Sequence, residues 1–168
     1  MTALSILAFI FAAAAIIGGF MSYRWTAIAA MIATALAFAA TSTLPKGSIS
    51  TTTFVMWECC GLIVLGLGIL LPPAVRKSRA GTGYLMGASL AGGLLGWAIA
   101  QQWLVLGVII GTLLGALAYV TTPNGKHLGH FSTEFIQYLS AKGLPTAVIV
   151  AMSLISVVWG LAAMTPTI

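Results

Sequence analysis

Residues 84–120 read YLMGASLAGGLLGWAIAQQWLVLGVIIGTLLGALAYV, thirty-seven positions without one charged side chain. As one helix they would run for about 55 Å at 1.5 Å per residue, nearly twice the roughly 30 Å of a bilayer's hydrocarbon core. One span cannot hold them. Gln101 and Gln102 stand near the middle, and a tight hairpin there puts two carboxamides among the headgroups. An apolar helix then remains on either side, 84–100 and 103–120, each close to the length of a single crossing.

The same character extends outward in both directions. The chain has 168 residues, of which 60% are hydrophobic and only 5% charged, and its mean hydropathy is +1.10. A soluble domain carries about 25% charged residues. Seven Lys or Arg and two acids cannot coat a surface facing water. A secreted disulfide scaffold, a soluble nucleic-acid binder and an ordinary cytosolic enzyme are excluded on that ground. In lipid every backbone polar group must be bonded within its own segment, so the apolar runs read as helices. They are 4–23, 25–41, 54–71, 84–100, 103–120 and 144–164. The expected fold is all-α: one polytopic membrane domain, 1–168, of about six transmembrane helices.

Charge placement supports six. With six spans, Arg24, Arg76, Lys77, Arg79, Lys126 and Lys142 fall on one side and Lys46 alone on the other. With five, the count becomes four against three. The lopsided count is the positive-inside pattern. It places the chain in the cell's inner membrane with both termini away from the cytoplasm, and it assigns the net charge of +5 to orientation rather than nucleic acid. The segment Met1–Ser5 lacks the basic region of a signal peptide, so the first helix reads as retained.

Sliding the chain against itself by 78 residues aligns 13–47 with 91–125, and ten of the 35 positions are identical. The pairs Gly18/Gly96, Trp25/Trp103, Thr34/Thr112, Pro45/Pro123 and Gly47/Gly125 mark equivalent helix interiors, starts and exits. Three spans per half, 1–80 and 81–168, would make a 3+3 inverted repeat. Small residues recur every fourth position, at Gly107, Gly111 and Gly115, at Ala29, Ala33 and Ala37, and at Gly92 and Gly96. Residues four apart share a helix face, and small faces let helices approach closely where no hydrophobic force draws them together. Packing within the chain is the first reading of these faces, and a homo-oligomer interface the second.

Glu58, in Phe54-Val-Met-Trp-Glu-Cys-Cys-Gly61, is the acid inside a span. A carboxylate there is costly and marks a candidate ion or proton site. It also lies close enough to the interface to reach water or Lys46, with Trp57 as a belt residue. Cys59 and Cys60 adjoin and read as free thiols. His127, His130 and Glu134 are spaced so that a helix would bring them to one face, which makes them weak metal candidates, although Gly125 and Gly129 disfavour that helix. From His130 onward Phe131, Phe135 and Tyr138 fall on one side of a short amphipathic helix at the membrane surface, ended by Gly143 and Pro145 before the last span. Arg76, Lys77 and Arg79 form a second membrane-surface cluster.

Catalytic templates are missing. There is no G-x-S-x-G, no H-E-x-x-H, no phosphate-binding loop and no Asp. The expectation is a non-enzyme without a cofactor, whose partners are the lipid bilayer and either copies of itself or a larger membrane complex. Three functions fit: a small transporter or channel component using Glu58, a non-catalytic accessory or assembly subunit, and a self-assembling pore or filament subunit.

Overall fold

The computed structural model describes residues 2–20, 25–42, 49–70, 81–123 and 133–164, and these are helical almost throughout. In order they form α1 (Thr2–Phe20), α2 (Thr26–Ser42), α3 (Thr51–Leu70), α4 (Thr82–Ile99), a 3₁₀ turn (Gln101–Trp103), α5 (Leu104–Thr121), α6 (Thr133–Tyr138), a π turn (Leu139–Gly143) and α7 (Leu144–Met164). Three helical stretches are long and apolar enough to cross a membrane, Ala3–Phe20, Gln101–Thr121 and Thr133–Met164. Helix α4 is diluted by Gly83, Gly87, Gly92, Gly93 and Gly96.

The surface is that of a membrane protein. Many large aliphatic side chains point outward, among them Ile17, Leu95 and Ile99, while alanine at positions 8, 12, 15, 27, 30, 33, 37 and 40 makes up much of the interior, beside larger residues such as Leu85, Leu104 and Met152. Where the solvent is as apolar as leucine, hydrophobicity alone does not decide which residues are buried. Small side chains go inside because they let backbones meet.

Helices α4 and α5 show this most clearly. A Cβ added at Gly92 would meet the carbonyl oxygen of Gly107, and one at Gly107 would meet that of Gly92. One turn away in each direction, Gly96 lies against the carbonyl of Trp103 and Gly111 against that of Ala88, and a further turn on Gly115 lies against that of Tyr84. The contacts advance four residues on one helix and retreat four on the other, so the pair is an antiparallel seam. Residues 84–120 do fold back. Ala100 is extended (φ −164°, ψ 150°) and the 3₁₀ turn follows it, which reverses the chain within four residues.

Helix α7 is the hub. It packs extensively against α1 and α2 and also touches α3, α4 and α5, and Val150, Leu154, Val158 and Trp159 join the largest apolar cluster. Its buried Ser153 and Ser156 donate to the carbonyls of Ile149 and Met152 at 2.8 and 2.5 Å, so neither hydroxyl is left open. Helix α3 sits at the edge against α2 and α7.

Two expectations about the approach to α7 are corrected. Phe135 is not spread on the membrane surface; it is 1% exposed, packed with Leu85, Ala116, Tyr119 and Val120 at the end of the α4–α5 seam. Nor do Gly143 and Pro145 stop the helix. The chain runs from α6 through the π turn into α7, with the Leu144 N–H bonded to the Leu139 carbonyl. In a regular helix the ring of Pro145 would collide with the carbonyl four residues earlier; the wider π turn takes up that conflict. Thr146 donates to the Lys142 carbonyl at 2.7 Å.

Gly81 precedes α4 with φ +72°, and its added Cβ would press on the Tyr138 hydroxyl and on the Tyr119 ring at 2.8 Å. Tyr138 stacks on Tyr119 with centroids 5.5 Å apart. Gly81→Ala is expected to lower stability by about 1–2 kcal/mol from the left-handed backbone alone, read as an earlier thermal transition in mild detergent. An unchanged transition would show that this turn is held in some other conformation.

Candidate functional site

Glu58 lies seven residues into α3, about 10 Å along its axis, on the face turned to α2. Three contacts fix that seam. Phe54 stacks on Phe38 with centroids 4.4 Å apart and planes 8° from parallel. One turn on, Glu58 meets Thr34 at 2.5 Å. One further turn on, an added Cβ at Gly61 would lie 2.6 Å from Met31 Cγ and 3.4 Å from Met152 Cε of α7. The partners advance along α3 as they retreat along α2, so these helices too are antiparallel. Aromatic stacking closes one side of the acid, and Met31 over Gly61 closes the other.

Thr34 is the middle residue of α2, eight residues from either end, and it is fully buried. Its partnership with Glu58 holds the carboxyl at mid-helix, away from the helix ends where water is found. Lys46, the cation that the acid could reach from the interface, lies outside the described residues.

The hydroxyl of Thr34 has one proton and two lone pairs. Three oxygens surround it: Glu58 Oε1 at 2.5 Å, the Met31 carbonyl at 2.8 Å and the Ala30 carbonyl at 3.3 Å. Two bonding patterns satisfy the group. With Glu58 ionised, Thr34 donates to the carboxylate. With Glu58 protonated, the carboxyl donates to Thr34, whose own proton turns to Met31. The acid can exchange a proton without the helices moving.

Thr112, which the 78-residue offset aligns with Thr34, behaves differently. Thr112 meets Ser89 at 2.5 Å and reaches the Val108 carbonyl at 2.8 Å, while Ser89 reaches the Leu85 carbonyl at 2.6 Å. That pair joins α4 to α5 with neutral groups alone. Thr34 and Thr112 each bond both across helices and back to their own helix.

A cavity of about 500 Å³ opens at one end of the bundle, between the start of α3, the α4–α5 turn and the last turns of α7. Trp57, Trp159, Gln101 and Gln102 line it. Trp57 is thus shared: its ring borders the cavity, and the residue after it is the acid facing α2.

The remaining candidates disperse. Glu134 is exposed in the first turn of α6, and His127, His130 and Phe131 lie outside the described residues, as do Arg76, Lys77 and Arg79. Among the described residues no group of three His, Cys, Asp or Glu could hold a metal ion. Cys59 and Cys60 are free thiols. Ala29, Ala33 and Ala37 are buried on α2. Thr34 was not singled out from sequence as the acid's partner; the available signal was a hydroxyl at the centre of an alanine-rich helix. Gln101 and Gln102 read as headgroup residues, and their place in a cavity wall depends on α3 and α7 arriving at the same end. Compared with protein-family models, with curated proteins and with solved structures, the chain matches none.

Proposed function

We propose that the protein is a small transporter or channel component of the inner membrane, with six spans and both termini away from the cytoplasm, in which Glu58 binds and releases a proton. The carrying observation is the Thr34–Glu58 bond at mid-helix, which gives the acid a partner in both protonation states. A purely interfacial anchor would have no use for that partner.

Relatedness of the two halves draws support from their hairpins. An added Cβ at Gly18 would meet Thr26 first and the Trp25 ring at 3.1 Å, while one at Gly96 would meet the Trp103 carbonyl, so the aligned Gly and Trp lie close together in both pairs, through the ring in one and through the backbone in the other. The third helices are used differently, α7 as hub and α3 at the edge.

The experiment is proton flux into proteoliposomes under an imposed membrane potential, followed with an internal pH dye. The wild type is expected to acidify well above protein-free vesicles, and Glu58→Gln to fall to their level. Equal flux from both proteins across the pH range would sink the role given to Glu58. Thr34→Val keeps the shape of α2 but removes the hydroxyl, and is expected to slow the flux at least several-fold.

One observation favours the accessory-subunit reading. Among the described residues nothing lies within 4 Å of an added Cβ at Gly83 or Gly87, so α4 carries a small-residue face that none of the described helices uses. Co-purification of a second membrane protein in mild detergent, together with absent proton flux, is the result that reading expects. The glycines best suited to self-assembly, Gly107, Gly111 and Gly115, are already filled by α4, which argues against a filament or pore built on them.

A further inference from the structure

The cavity beside Trp57 has a composition that selects among ligands. Its volume of about 500 Å³ lies in the range of small-molecule sites, roughly 300–1,000 Å³. Among the described residues its walls hold no charged side chain; the polar side-chain groups are the carboxamides of Gln101 and Gln102, the hydroxyl of Thr53 and the indole N–H groups of Trp57 and Trp159, and much of the rest is aliphatic, including Leu104 and Val158. Among these residues an anion would find no positive charge to compensate its loss of water. A small hydrated metal ion would find too few oxygens to replace its shell. Two tryptophans border the cavity, Trp57 half-buried and Trp159 6% exposed, and an indole attracts a cation that reaches its face, most strongly where water is scarce. Carboxamide oxygens add acceptors at the mouth, and Glu58 follows Trp57 directly in α3.

We infer that this cavity binds a lipophilic organic cation, one whose charge is spread or shielded by apolar groups, through Trp57, Trp159 and the side-chain oxygens of Gln101 and Gln102. The inference deepens the transport reading, and rests on it only for the claim that such a cation is carried; binding itself does not depend on it. A soft cation loses little hydration on entry and satisfies the apolar wall with its substituents. A neutral molecule of the same shape keeps the apolar contacts and forgoes the attraction to the rings.

The test compares two probes of matched shape, methyltriphenylphosphonium and the neutral triphenylphosphine oxide, by equilibrium dialysis against the full chain in mild detergent. The phosphonium is expected to bind at least tenfold more tightly. Trp57→Leu and Trp159→Leu should each weaken it by about threefold to thirtyfold, the loss of one cation–aromatic contact. Trp25→Leu, outside the cavity, should leave it unchanged. The probe comparison on the wild type keeps the idea exposed even if a tryptophan variant does not fold. Equal binding of the two probes, no phosphonium binding up to its solubility, or an affinity untouched by both cavity variants would each overturn the site. Phosphonium binding without Glu58-dependent proton flux would keep the site and remove the transport reading. Glu58-dependent flux without binding would do the reverse.

Discussion

Leucine at Gly107 is expected to leave no folded α4–α5 hairpin. Its Cβ would be driven into the Gly92 carbonyl and lie 3.3 Å from Gly96 Cα, and the remaining side chain has nowhere to go. A crowded side chain can change rotamer, so ordinary overpacking costs about 1–3 kcal/mol. Backbone cannot turn aside. The helices would have to separate along a seam that continues through Gly96, Gly111 and Gly115, and the cluster of Leu85, Ala116, Tyr119 and Phe135 would open with it. The measured result should be loss of the monodisperse peak on size exclusion in mild detergent. Gly87→Leu is the matched control, because among the described residues nothing lies within 4 Å of its added Cβ. It should be neutral, or slightly stabilising, since glycine costs a helix about 1 kcal/mol relative to better formers. Equal behaviour of the two variants would refute the seam.

That contrast also shows what the sequence made legible. Gly107, Gly111 and Gly115 announce a smooth face by spacing alone, and two glutamines within an over-long apolar run announce the reversal. Spacing cannot say which smooth face is used: Gly83 and Gly87 follow the same four-residue rule and meet none of the described residues. Nor could hydropathy identify α7 as the hub. In lipid, apolar content is required of every span, so a buried helix and a peripheral one read alike. The distinguishing marks are small and hydroxylated residues facing several neighbours, such as Ser153, Ser156 and Gly160, and they become informative only once those neighbours are placed. The Thr34–Glu58 pair is illegible for a related reason. Each residue is visible alone, but their meeting depends on the register of α2 against α3, which Phe38 on Phe54 and Met31 over Gly61 set by shape. The approach to α7 misleads for a local reason, since Gly143 and Pro145 carry stop signals that a π turn can absorb.

Single cysteines at Gln102 and Thr121, in a chain with Cys59→Ala and Cys60→Ala, are expected to label from opposite sides of the membrane. Both positions are exposed, and a stretch long and apolar enough to cross, Gln101–Thr121, lies between them. Gln102→Cys should react with an impermeant maleimide added to spheroplasts, whereas Thr121→Cys should react only after permeabilisation. The contrast is all or none, because in the five-span alternative residues 84–120 form one helix and position 102 lies within the lipid, unreactive from either side. The six-to-one distribution of cations makes the same choice through a separate mechanism, the retention of Lys and Arg in short cytoplasmic loops. Topology also decides what the cavity can do. Its wall includes Gln101 and Gln102, so a label reaching position 102 from outside means that the cavity mouth lies at the outer face. A cation would then enter beside Trp57 from the external side, with Glu58 deeper along α3. Protection of position 102 from both sides would close that entrance, and the six-span arrangement would go with it.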